Sequence, residues 1–553
     1  MDAPFSQQTR TANLQMLAAQ PFDLLIIGGG ITGAGIARDA AMRGFRTALI
    51  DMADFGSGTS SRSSRLVHGG LRYLEHGHLK LVFEACRERR ILLDIAPHLV
   101  WPRSFLFPVH RGGRLTPWKL EAGLWLYDLL ALFRNVRLHR MLSKRAMLQA
   151  EPGLRSRDLR GGARYYDAQC DDARLVLANI RDAHRHGAVV ANYVKVDHLD
   201  SADGRVGGAR ATDLTTGMPL HVRALVTVNA TGPWSDRIRE PDGRPSLLPT
   251  KGVHIVVPRQ RLGNKEAIIF VSPIDGRIMF VLPWGTVTYM GTTETELQED
   301  PASIAATADD VIYVLRSVNA LFPDARLTPE DVLATWAGVR PLVRQTEHDD
   351  PNAVSREHAI LESDNGLLSI EGGKLTTYRV MAEQMVDRVA ERLHARDGRP
   401  VAPHAPTDTE PLPGGEARSL DVMIEATITE GFSREVATHL VHTFGGESAA
   451  VVRLAQSDPR LAEPVIGGHS TIWAELLHAM RREMALTLTD LLIRRTHLFY
   501  AAPGEVLARL PDILRFASDE LGWDAERQEA EAEAYRYEVR RSLAFREEVA
   551  AAG

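Results

Sequence analysis

Residues 22–35, FDLLIIGGGITGAG, join a short apolar run to a cluster of glycines near the start of the chain. The run FDLLII is typical of a fully buried strand. Residues 31–43 predict a helix with Gly44 just past its end, and residues 45–50 predict a second strand, closed by Asp51. A strand, a helix and a strand in this order indicate a βαβ unit, and hence an α/β domain with a parallel sheet.

The glycines follow the pattern G-x-G-x-x-G, with Gly28, Gly30 and Gly33 at its three positions. Gly28 allows a tight turn, Gly30 allows a pyrophosphate to approach the backbone, and Gly33 allows the helix to pack closely on the strand. The helix N-terminus offers N–H groups and a partial positive charge to the phosphates. Asp51 can accept hydrogen bonds from a ribose hydroxyl. We therefore predict a dinucleotide site and, because Asp51 is acidic, a dinucleotide without a 2′-phosphate.

Composition limits the remaining possibilities. The 553 residues include 65 lysines and arginines against 71 aspartates and glutamates, which gives a formal charge of −6 and disfavours a general nucleic-acid binder. A chain of this length predicts two or three domains. The two cysteines, Cys86 and Cys170, are too few for a disulfide framework, an iron–sulfur cluster or a four-cysteine zinc site. We predict no metal site, because His184 and His186 lack cysteine or carboxylate support.

The rest of the chain shows a change of pattern from strands to helices. Further strands are predicted at residues 188–196, 224–230, 278–282 and 367–370, and the alternating pattern over residues 251–295 indicates an antiparallel sheet in another domain. Residues 397–417 are rich in proline and end in glycines, which predicts a linker before a helical region. No apolar run reaches the length of a membrane-spanning helix, and residues 1–20 lack a signal-peptide pattern, so we expect a protein that is soluble or lies on a membrane surface.

A second glycine motif does not follow any later predicted strand. An enzyme that passes electrons from NAD(P)H through a flavin usually needs two such sites. One site leaves two possibilities, which are an NAD dehydrogenase and a flavin enzyme that takes hydride directly from its substrate.

Eight sequence blocks in the same order resemble FAD-dependent, quinone-linked glycerol-3-phosphate dehydrogenases. The resemblance extends from about residue 22 to residue 379, and TDLLIRRTHL at residues 489–498 is similar to that family's helical domain. The blocks are IIGGGITGAGIARDAAMRG (26–44), GTSSRSSRLVHGGLRYLEHG (58–77), DDARLVLAN (171–179), VNATGPWSD (228–236), KGVHIVVP (251–258), MGTTETE (290–296), AGVRPL (337–342) and GGKLTTYR (372–379).

The resemblance implies an α/β fold in three parts. The first is a glutathione-reductase-like FAD-binding Rossmann domain over residues 20–95, 155–250 and 350–396. The second is an antiparallel α+β substrate domain, as in relatives of D-amino-acid oxidase, over residues 96–154 and 251–349. The linker at residues 397–417 then leads to an all-α domain over residues 418–553.

The resemblance also implies residues that bind the FAD cofactor. They lie in the first glycine motif, in the hydroxyl-rich segment that follows Asp51, after the strand at residues 224–230, and in the block GGKLTTYR. The predicted set is Gly28, Gly30, Thr32, Gly33, Asp51, Thr59, Ser60, Ser61, His68, Gly69, Thr231, Gly232, Gly372, Gly373, Lys374, Leu375 and Thr376.

The implied reaction is oxidation of sn-glycerol 3-phosphate to dihydroxyacetone phosphate, with hydride transfer from C2 to FAD N5. Arg340 is the predicted phosphate anchor, since a guanidinium fork matches phosphate oxygens. Lys374 is expected to reach the phosphate or the flavin. His68 is the predicted general base, because an imidazole suits removal of the C2 hydroxyl proton. Arg72, Tyr73 and His254 complete the predicted substrate site.

Three residues depart from the family pattern. Glu294 stands where aspartate is more common, Val253 where a small hydroxyl residue is common, and Glu371 where an apolar or aromatic residue is common. Glu294 and Val253 would affect details of ligand contact and not the fold. Glu371 would place an acid near the flavin if its side chain faces that way.

The resemblance implies membrane quinone as the electron acceptor and a cytoplasmic protein attached peripherally to the inner face of the cytoplasmic membrane. The apolar residues 118–133, followed by basic residues up to Arg145, could support this attachment or could form an ordinary core helix and a basic loop. Nucleic acid is not an expected partner, and a homodimer is left open.

Two other kinds of function remain open at this point. One is a different flavin enzyme, either an oxidase that uses O2 or a dehydrogenase of another hydroxy acid or amino acid. The other is a flavin-bearing scaffold that has lost activity. Peroxide release would reveal the oxidase, and a flavin that no polyol phosphate reduces would support the scaffold.

Overall fold

The computed structural model describes residues 4–239, 245–297, 299–344, 357–417 and 419–552. Two β-sheets and a set of C-terminal helices organise this part of the chain. The predicted domain boundary between residues 349 and 350 and the predicted start of the last domain at Arg418 lie outside the described residues.

The strands, in chain order, are β1 (Phe22–Ile27), β2 (Thr47–Ile50), β3 (Leu66–Val67), β4 (Val100–His110), β5 (Arg140–Ser143), β6 (Leu159–Cys170), β7 (Val189–Ala191), β8 (Val194–Ala202), β9 (Arg205–Asp213), β10 (Pro219–Asn229), β11 (Leu247–Pro258), β12 (Ala267–Val271), β13 (Ile278–Trp284), β14 (Val287–Gly291), β15 (Thr295–Glu296), β16 (Ala334–Val343), β17 (His358–Glu362) and β18 (Leu368–Gly372).

The α-helices are α1 (Gln7–Ala19), α2 (Ile31–Met42), α3 (Leu79–Ile95), α4 (Pro117–Leu130), α5 (Lys144–Ala150), α6 (Asp172–Arg185), α7 (Ser235–Arg239), α8 (Arg259–Leu262), α9 (Ala308–Leu321), α10 (Tyr378–Asp397), α11 (Leu420–Thr429), α12 (Arg434–Phe444), α13 (Ser448–Ser457), α14 (Trp473–Arg482), α15 (Leu498–Ala501), α16 (Pro503–Leu521), α17 (Ala525–Ser542) and α18 (Phe545–Ala552), with a π-helix at Asp490–Arg495.

The first sheet confirms the predicted βαβ unit. Its order is β17-β18-β10-β1-β2-β7, and the five strands from β18 to β7 run parallel, while β17 is antiparallel to β18. All six residues of β1 are buried, because α2, α6 and α10 cover one face of the sheet and α1 contacts the other. Strands buried on both faces are apolar throughout, which explains the run FDLLII.

Close backbone packing requires two of the motif glycines. Gly28 has a φ of +109°, and a Cβ at this residue would lie 2.6 Å from the carbonyl oxygen of Ala230 at the end of β10. A Cβ at Gly33 would lie only 1.9 Å from the carbonyl oxygen of Gly28. The glycines therefore let α2 start directly against the carboxyl ends of β1 and β10, where a crevice opens between the strands.

The second sheet confirms the antiparallel pairing predicted from residues 251–295, while its strands β12 and β4 run parallel. Its order is β15-β11-β14-β13-β12-β4-β6-β3, with β16 paired to β11 and β5 paired to β6. The structure differs from the predicted boundary at residue 155, because β6 belongs to this second sheet and pairs with β4 over most of its length. Strand β3 also pairs with β6, so residues 66–67 reach the second sheet from within the predicted FAD-binding segment.

Two further predictions need correction. Residues 188–196 do not form one strand, since β7 ends at Ala191 and Tyr193 adopts a φ of +55° before β8 begins. The predicted linker at residues 397–417 is not a free connection, because Leu412 is fully buried and its N–H donates to the carbonyl oxygen of Ile95 over 2.9 Å. Arg38 of α2 donates to the carbonyl oxygen of Thr407 in the same segment.

Buried ion pairs join the C-terminal helices to the first sheet. Asp54, just after β2, is fully shielded and lies 2.6 Å from Arg494 and 2.7 Å from Arg495. Burial alone would raise the pKa of Asp54, but the two guanidinium groups lower it below its usual value. Arg174 of α6 makes a comparable pair with Glu483. Because each charge has a partner, these helices pack on the first sheet without leaving these carboxylates unpaired.

Candidate functional site

The crevice at the carboxyl ends of β1 and β10 is a cleft of about 560 Å³, here called the dinucleotide cleft. It contains most of the residues that the sequence predicted for cofactor binding. These residues are Gly28, Gly30, Thr32, Asp51, Thr59, Ser60, Thr231, Gly232, Gly372, Gly373, Lys374 and Leu375. A Cβ at Gly30 would lie 3.2 Å from Ser60 Oγ, so a side chain at this position would take space from the cleft.

Asp51 is held in the cleft by the loops on both sides of it. Its Oδ2 accepts a hydrogen bond from the N–H of Gly29 over 2.5 Å, and its Oδ1 accepts one from the N–H of Ala53 over 2.8 Å. Burial raises the pKa of Asp51 to about 6, although these two N–H groups offset part of the effect. Each carboxylate oxygen can accept a further hydrogen bond, so the predicted role of Asp51 toward a ribose hydroxyl fits this geometry.

Five predicted cofactor residues do not line the dinucleotide cleft. Gly33 acts through packing, and Ser61 lines a neighbouring cavity. Gly69 packs so tightly that a Cβ would lie 2.4 Å from Cys86 Sγ. Thr376 Oγ1 accepts a hydrogen bond from the backbone N–H of His68 over 3.2 Å, so this pair braces the segment after β3.

A second cavity of about 130 Å³, here called the Arg340 cavity, lies between the segment after β3 and the second sheet. The structure brings together four of the predicted substrate-site residues in its walls, His68, Arg72, Tyr73 and Arg340. Two of them are cationic and one is an imidazole. This combination suits a small anionic ligand that also has to lose a proton.

Strand pairing positions Arg340. It lies in β16, opposite Thr250 of β11, and its Nη2 donates to Thr292 Oγ1 over 3.0 Å. A Cβ at Gly252 would lie 2.4 Å from the same Nη2 atom, so the glycine leaves room for the guanidinium. The carboxylate of Glu294 lies 3.7 Å from Arg340 Nη1.

Lys374 connects the two cavities. Its backbone follows the glycine turn at the end of β18 and lines the dinucleotide cleft. Its ammonium group lies over the ring of Tyr73, 3.5 Å from the ring centroid, and Tyr73 lines the Arg340 cavity. The cation–π contact therefore places a positive charge at the boundary between the dinucleotide cleft and the Arg340 cavity.

His254, the sixth predicted substrate residue, is not among the residues that line this cavity. Its Nε2 is 2.9 Å from Ser64 Oγ, and its ring stacks on Trp336 with centroids 5.0 Å apart. Burial, and then the charges of Arg340 and Arg65, lower the pKa of His254 to about 3. The imidazole is therefore neutral near pH 7 and acts behind Ser64, which does line the cavity.

The cavity also contains residues that the sequence did not single out. Arg277 lies in the wall beside Glu294, whose carbonyl oxygen accepts a hydrogen bond from Arg277 Nη1. Asp167 of β6 faces the cavity and accepts hydrogen bonds from Tyr127 Oη and from the N–H of Gly69. The dipeptide Asp275-Gly276 just before Arg277 is a common hairpin signal, but no local pattern shows which ligand the following side chain meets.

The three departures from the family pattern have different surroundings. Glu294 is in the cavity wall, next to Arg340. Val253 is fully buried in the core of the second sheet. Glu371 is buried but does not line the dinucleotide cleft, since its Oε1 accepts a hydrogen bond from Ser235 Oγ while its neighbours Ile370 and Gly372 line the cleft. Strand alternation explains this orientation, so Glu371 does not bring an acid to the wall of the dinucleotide cleft.

The surroundings of His186 also differ from the expectation. The sequence indicated no carboxylate support, but Asp182 and Glu410 lie beside it, with candidate ligand atoms within 4.8 Å of one another. Asp182 is paired with Arg38 at 2.6 Å, and His186 Nε2 is 2.9 Å from Glu410 Oε1. These contacts account for the cluster as an ion-pair network.

Comparison with known proteins identifies the class. The family model described as FAD dependent oxidoreductase matches residues 23–379, and the model of the C-terminal domain of alpha-glycerophosphate oxidase matches residues 405–528. Aerobic glycerol-3-phosphate dehydrogenase of Bacillus subtilis (strain 168) is 38% identical over 535 residues, which are 95% of this chain and 96% of that protein. The chain therefore belongs to the FAD-dependent glycerol-3-phosphate dehydrogenase family.

Other relatives agree with this assignment. The aerobic glycerol-3-phosphate dehydrogenase of Staphylococcus haemolyticus is 37% identical and covers 89% of each chain. A solved glycerol-3-phosphate dehydrogenase from Bacillus halodurans, complexed with FAD, superposes with a TM-score of 0.81 at 34% identity, covering 97% of this chain and 98% of that one. FAD is therefore the cofactor, and the volume and glycine-lined backbone of the dinucleotide cleft fit it.

Proposed function

We propose that this protein oxidises sn-glycerol 3-phosphate at C2 to dihydroxyacetone phosphate. One observation carries the proposal, namely that Arg340, Arg72 and His68 line the same small cavity. Lys374 links this cavity to the dinucleotide cleft. The relatives named as glycerol-3-phosphate dehydrogenases support the choice of substrate.

The cationic residues would bind the phosphate. Arg340 is oriented by Thr292 and by the space at Gly252, so its fork is set before the ligand arrives. Arg72 and the ammonium group of Lys374 add two more positive charges near Tyr73. A dianionic phosphate gains more from such a set than a carboxylate does, which favours a phosphorylated polyol over a hydroxy acid or an amino acid.

His68 is the proposed general base for the C2 hydroxyl proton. His68 lines the Arg340 cavity, and its backbone N–H is held by Thr376 Oγ1. His254 is a weaker base, because its pKa of about 3 leaves it little affinity for a proton near neutral pH. When bound, FAD supplies the acceptor for the hydride that leaves C2.

An anaerobic spectrum of the purified holoenzyme tests this function. Addition of sn-glycerol 3-phosphate is expected to bleach the oxidised flavin band, whereas free glycerol at the same concentration leaves it unchanged. A flavin band that persists with sn-glycerol 3-phosphate but is bleached by a hydroxy acid or an amino acid would contradict the proposed substrate.

The proposed electron acceptor is a quinone in the cytoplasmic membrane, reached by peripheral attachment. The support is an exposed apolar surface formed by α4 and the loop after it, here called the α4 face. Trp118 is 66% exposed, Trp125 is 52% exposed and Phe133 is 54% exposed. Exposed aromatic residues of this kind are enriched at membrane interfaces and at protein interfaces.

The backbone at the end of α4 adds to this support. Leu132 and Phe133 both have positive φ values, 51° and 54°, and both side chains are exposed. A left-handed backbone conformation costs free energy for residues that have a Cβ. Because Leu132 and Phe133 are exposed among the described residues, burial of their side chains does not compensate for this cost. Arg134, Arg137 and Arg140 follow, so the α4 face combines apolar and basic groups, as suits an anionic bilayer. None of the helices in the described residues has the length and apolar character needed to cross a membrane.

Vesicle sedimentation tests the attachment. The wild-type protein is expected to sediment with vesicles that contain phosphatidylglycerol and to be released by high salt. Trp125→Ser combined with Phe133→Ser should weaken binding at least about tenfold, because two large apolar side chains no longer enter the bilayer. Val422→Ser, at an exposed apolar residue of α11, is the matched control and should not change binding.

Turnover assays with different acceptors test the quinone. Reduction of a soluble quinone analogue without release of peroxide is expected. Stoichiometric peroxide release together with no response to quinone would make the protein an oxidase instead.

A further inference from the structure

A third cavity, of about 280 Å³, lies where the first sheet, the second sheet and the C-terminal helices meet. We call it the Arg62 cavity. Arg62 comes from the segment after β2, Trp336 from β16, Tyr500 from α15 and Arg541 from α17. Its volume is close to the lower limit of small-molecule sites.

The arginines that line this cavity differ in whether they have partners within the protein. Arg494 is paired with Asp54 at 2.6 Å and with Asp490 at 2.5 Å. Arg541 donates to the carbonyl oxygens of Ile304 and Ala302 and lies 3.2 Å from Glu538. Both guanidinium groups are therefore already bound by groups of the protein.

Arg62 differs from both. No side-chain hydrogen bond or ion pair joins its guanidinium to another residue in the part of the chain that the structure describes. Burial, and then the nearby charge of Arg541, lower its pKa, while Tyr500 and Glu538 in the same wall offset part of this effect. Arg62 is half-buried in the wall of the cavity, and a guanidinium without an ion-pair partner there can bind an anion that enters the cavity.

The rest of the wall indicates the kind of anion. Tyr500 Oη has no hydrogen-bond partner among the described residues and can donate to an oxyanion. Trp336 and Tyr500 meet edge-to-face with centroids 5.2 Å apart, and Phe499 meets Tyr500 at 5.0 Å. Such walls favour a ligand that has an aromatic or apolar body beside its charged group.

We propose that the Arg62 cavity is a binding site for a small phosphate ester with an aromatic or apolar body, held by Arg62 and Tyr500. This site is separate from the Arg340 cavity, because the two have no lining residue in common. It adjoins the dinucleotide cleft, since Ser57, Gly58 and Trp234 line both. The site does not depend on the identity of the enzyme's substrate, but the count of equivalents in the test rests on the proposed function. If the Arg340 cavity binds no phosphate, the wild-type enzyme binds one equivalent and Arg62→Gln binds none.

Calorimetric titration of the FAD-loaded enzyme tests the site, with inorganic phosphate and phenyl phosphate as the probes. The wild-type enzyme is expected to bind two equivalents of each, one per cavity. Arg62→Gln should lose one equivalent and keep the other, and Arg340→Gln should lose the other one. Phenyl phosphate should bind the site that remains in Arg340→Gln several-fold more tightly than inorganic phosphate does, because of the aromatic wall.

Three results would overturn the proposal. Arg62→Gln could keep both equivalents, or it could lose FAD, which would assign Arg62 to the pyrophosphate of the cofactor. Equal affinity of both probes in Arg340→Gln would show that the aromatic residues do not contribute to binding at this site. If Arg62→Gln does not fold, Tyr500→Phe gives the same comparison, with an expected weakening of phosphate binding of about fivefold for one lost hydrogen bond.

Discussion

The carboxylate of Glu294 lies 3.7 Å from the guanidinium of Arg340, in the wall of the cavity proposed to bind the substrate phosphate. The side chain of Glu294 is only 4% exposed, whereas that of Arg340 is 22% exposed. A phosphate that binds Arg340 therefore approaches a shielded negative charge. This repulsion acts against the cationic residues of the same cavity.

Replacement of Glu294 by glutamine should strengthen substrate binding. Glu294→Gln removes the negative charge and keeps the shape, while Thr292 still orients Arg340. We expect KM for sn-glycerol 3-phosphate to fall about fivefold, or about 1 kcal/mol, with little change in kcat. Steady-state kinetics at low ionic strength measures this. A higher KM would instead show that Glu294 is needed to orient the arginine.

Truncation of Arg340 should have the opposite effect. Arg340→Ala removes charged hydrogen bonds that are made in both the ground state and the transition state, so KM should rise about 30-fold while kcat changes less. The same kinetic assay measures this, and Arg205→Ala, at an exposed arginine, is the control. A KM within a few-fold of the wild-type value would exclude Arg340 from the phosphate site.

Gly252 should be required for the position of Arg340 and not for folding. In Gly252→Ala, the new Cβ would lie 2.4 Å from Arg340 Nη2, the end of a flexible side chain, which can move away at little cost in stability. KM should rise about tenfold, while the free energy of unfolding changes by less than about 1 kcal/mol. Gly504→Ala is the control, because no atom lies within 4 Å of a Cβ at that position. Loss of FAD or of folding in Gly252→Ala would contradict this explanation.

Local sequence patterns were sufficient for the βαβ unit and for a dinucleotide as its ligand, while the choice of FAD came from the family resemblance. The run at residues 22–27 predicts a buried strand, and the three glycines predict a tight turn with a closely packed helix. Both predictions succeed because they depend only on residues that are close together in the sequence. The boundary at residue 155, which the resemblance implied, differs from the sheets of the structure, since β6 joins the second sheet by pairing with β4, which is distant in sequence. Periodicity within β6 does not show which sheet it will join.

In the candidate site, too, some residues could be predicted from the sequence and others could not. His68, Arg72, Tyr73 and Arg340 lie in blocks that carry a family resemblance, and the structure brings them together. Arg277 directly precedes β13, and its position in the cavity wall depends on the register between β13 and its neighbouring strands. The sequence does not specify this register. The position of His254 behind Ser64 depends on a stacking partner from β16.

Acid sensitivity should depend on a carboxylate that joins the C-terminal helices to α6. Glu447 lies 2.6 Å from Arg181 and 2.5 Å from Arg185, and its side chain is 14% exposed. Burial alone would raise the pKa of Glu447, but the two arginines outweigh burial and lower it to about 2. A carboxylate with a lowered pKa in the folded state stabilises the protein above its unfolded pKa of 4.5. This contribution is lost as the pH falls from 4.5 toward 2.

Glu447→Gln should therefore lower the free energy of unfolding by about 3 kcal/mol at pH 7, and the difference from wild type should shrink as the pH falls below 4.5. Thermal unfolding of both proteins between pH 3 and pH 7 measures this as a difference in Tm. Glu425→Gln is the matched control, because the Glu425–Arg434 pair has the same charges but both side chains are more than half exposed, so its loss should have little effect on Tm at any pH. A Tm difference for Glu447→Gln that stays constant over this range would mean that the glutamate contributes through packing and not through its charge.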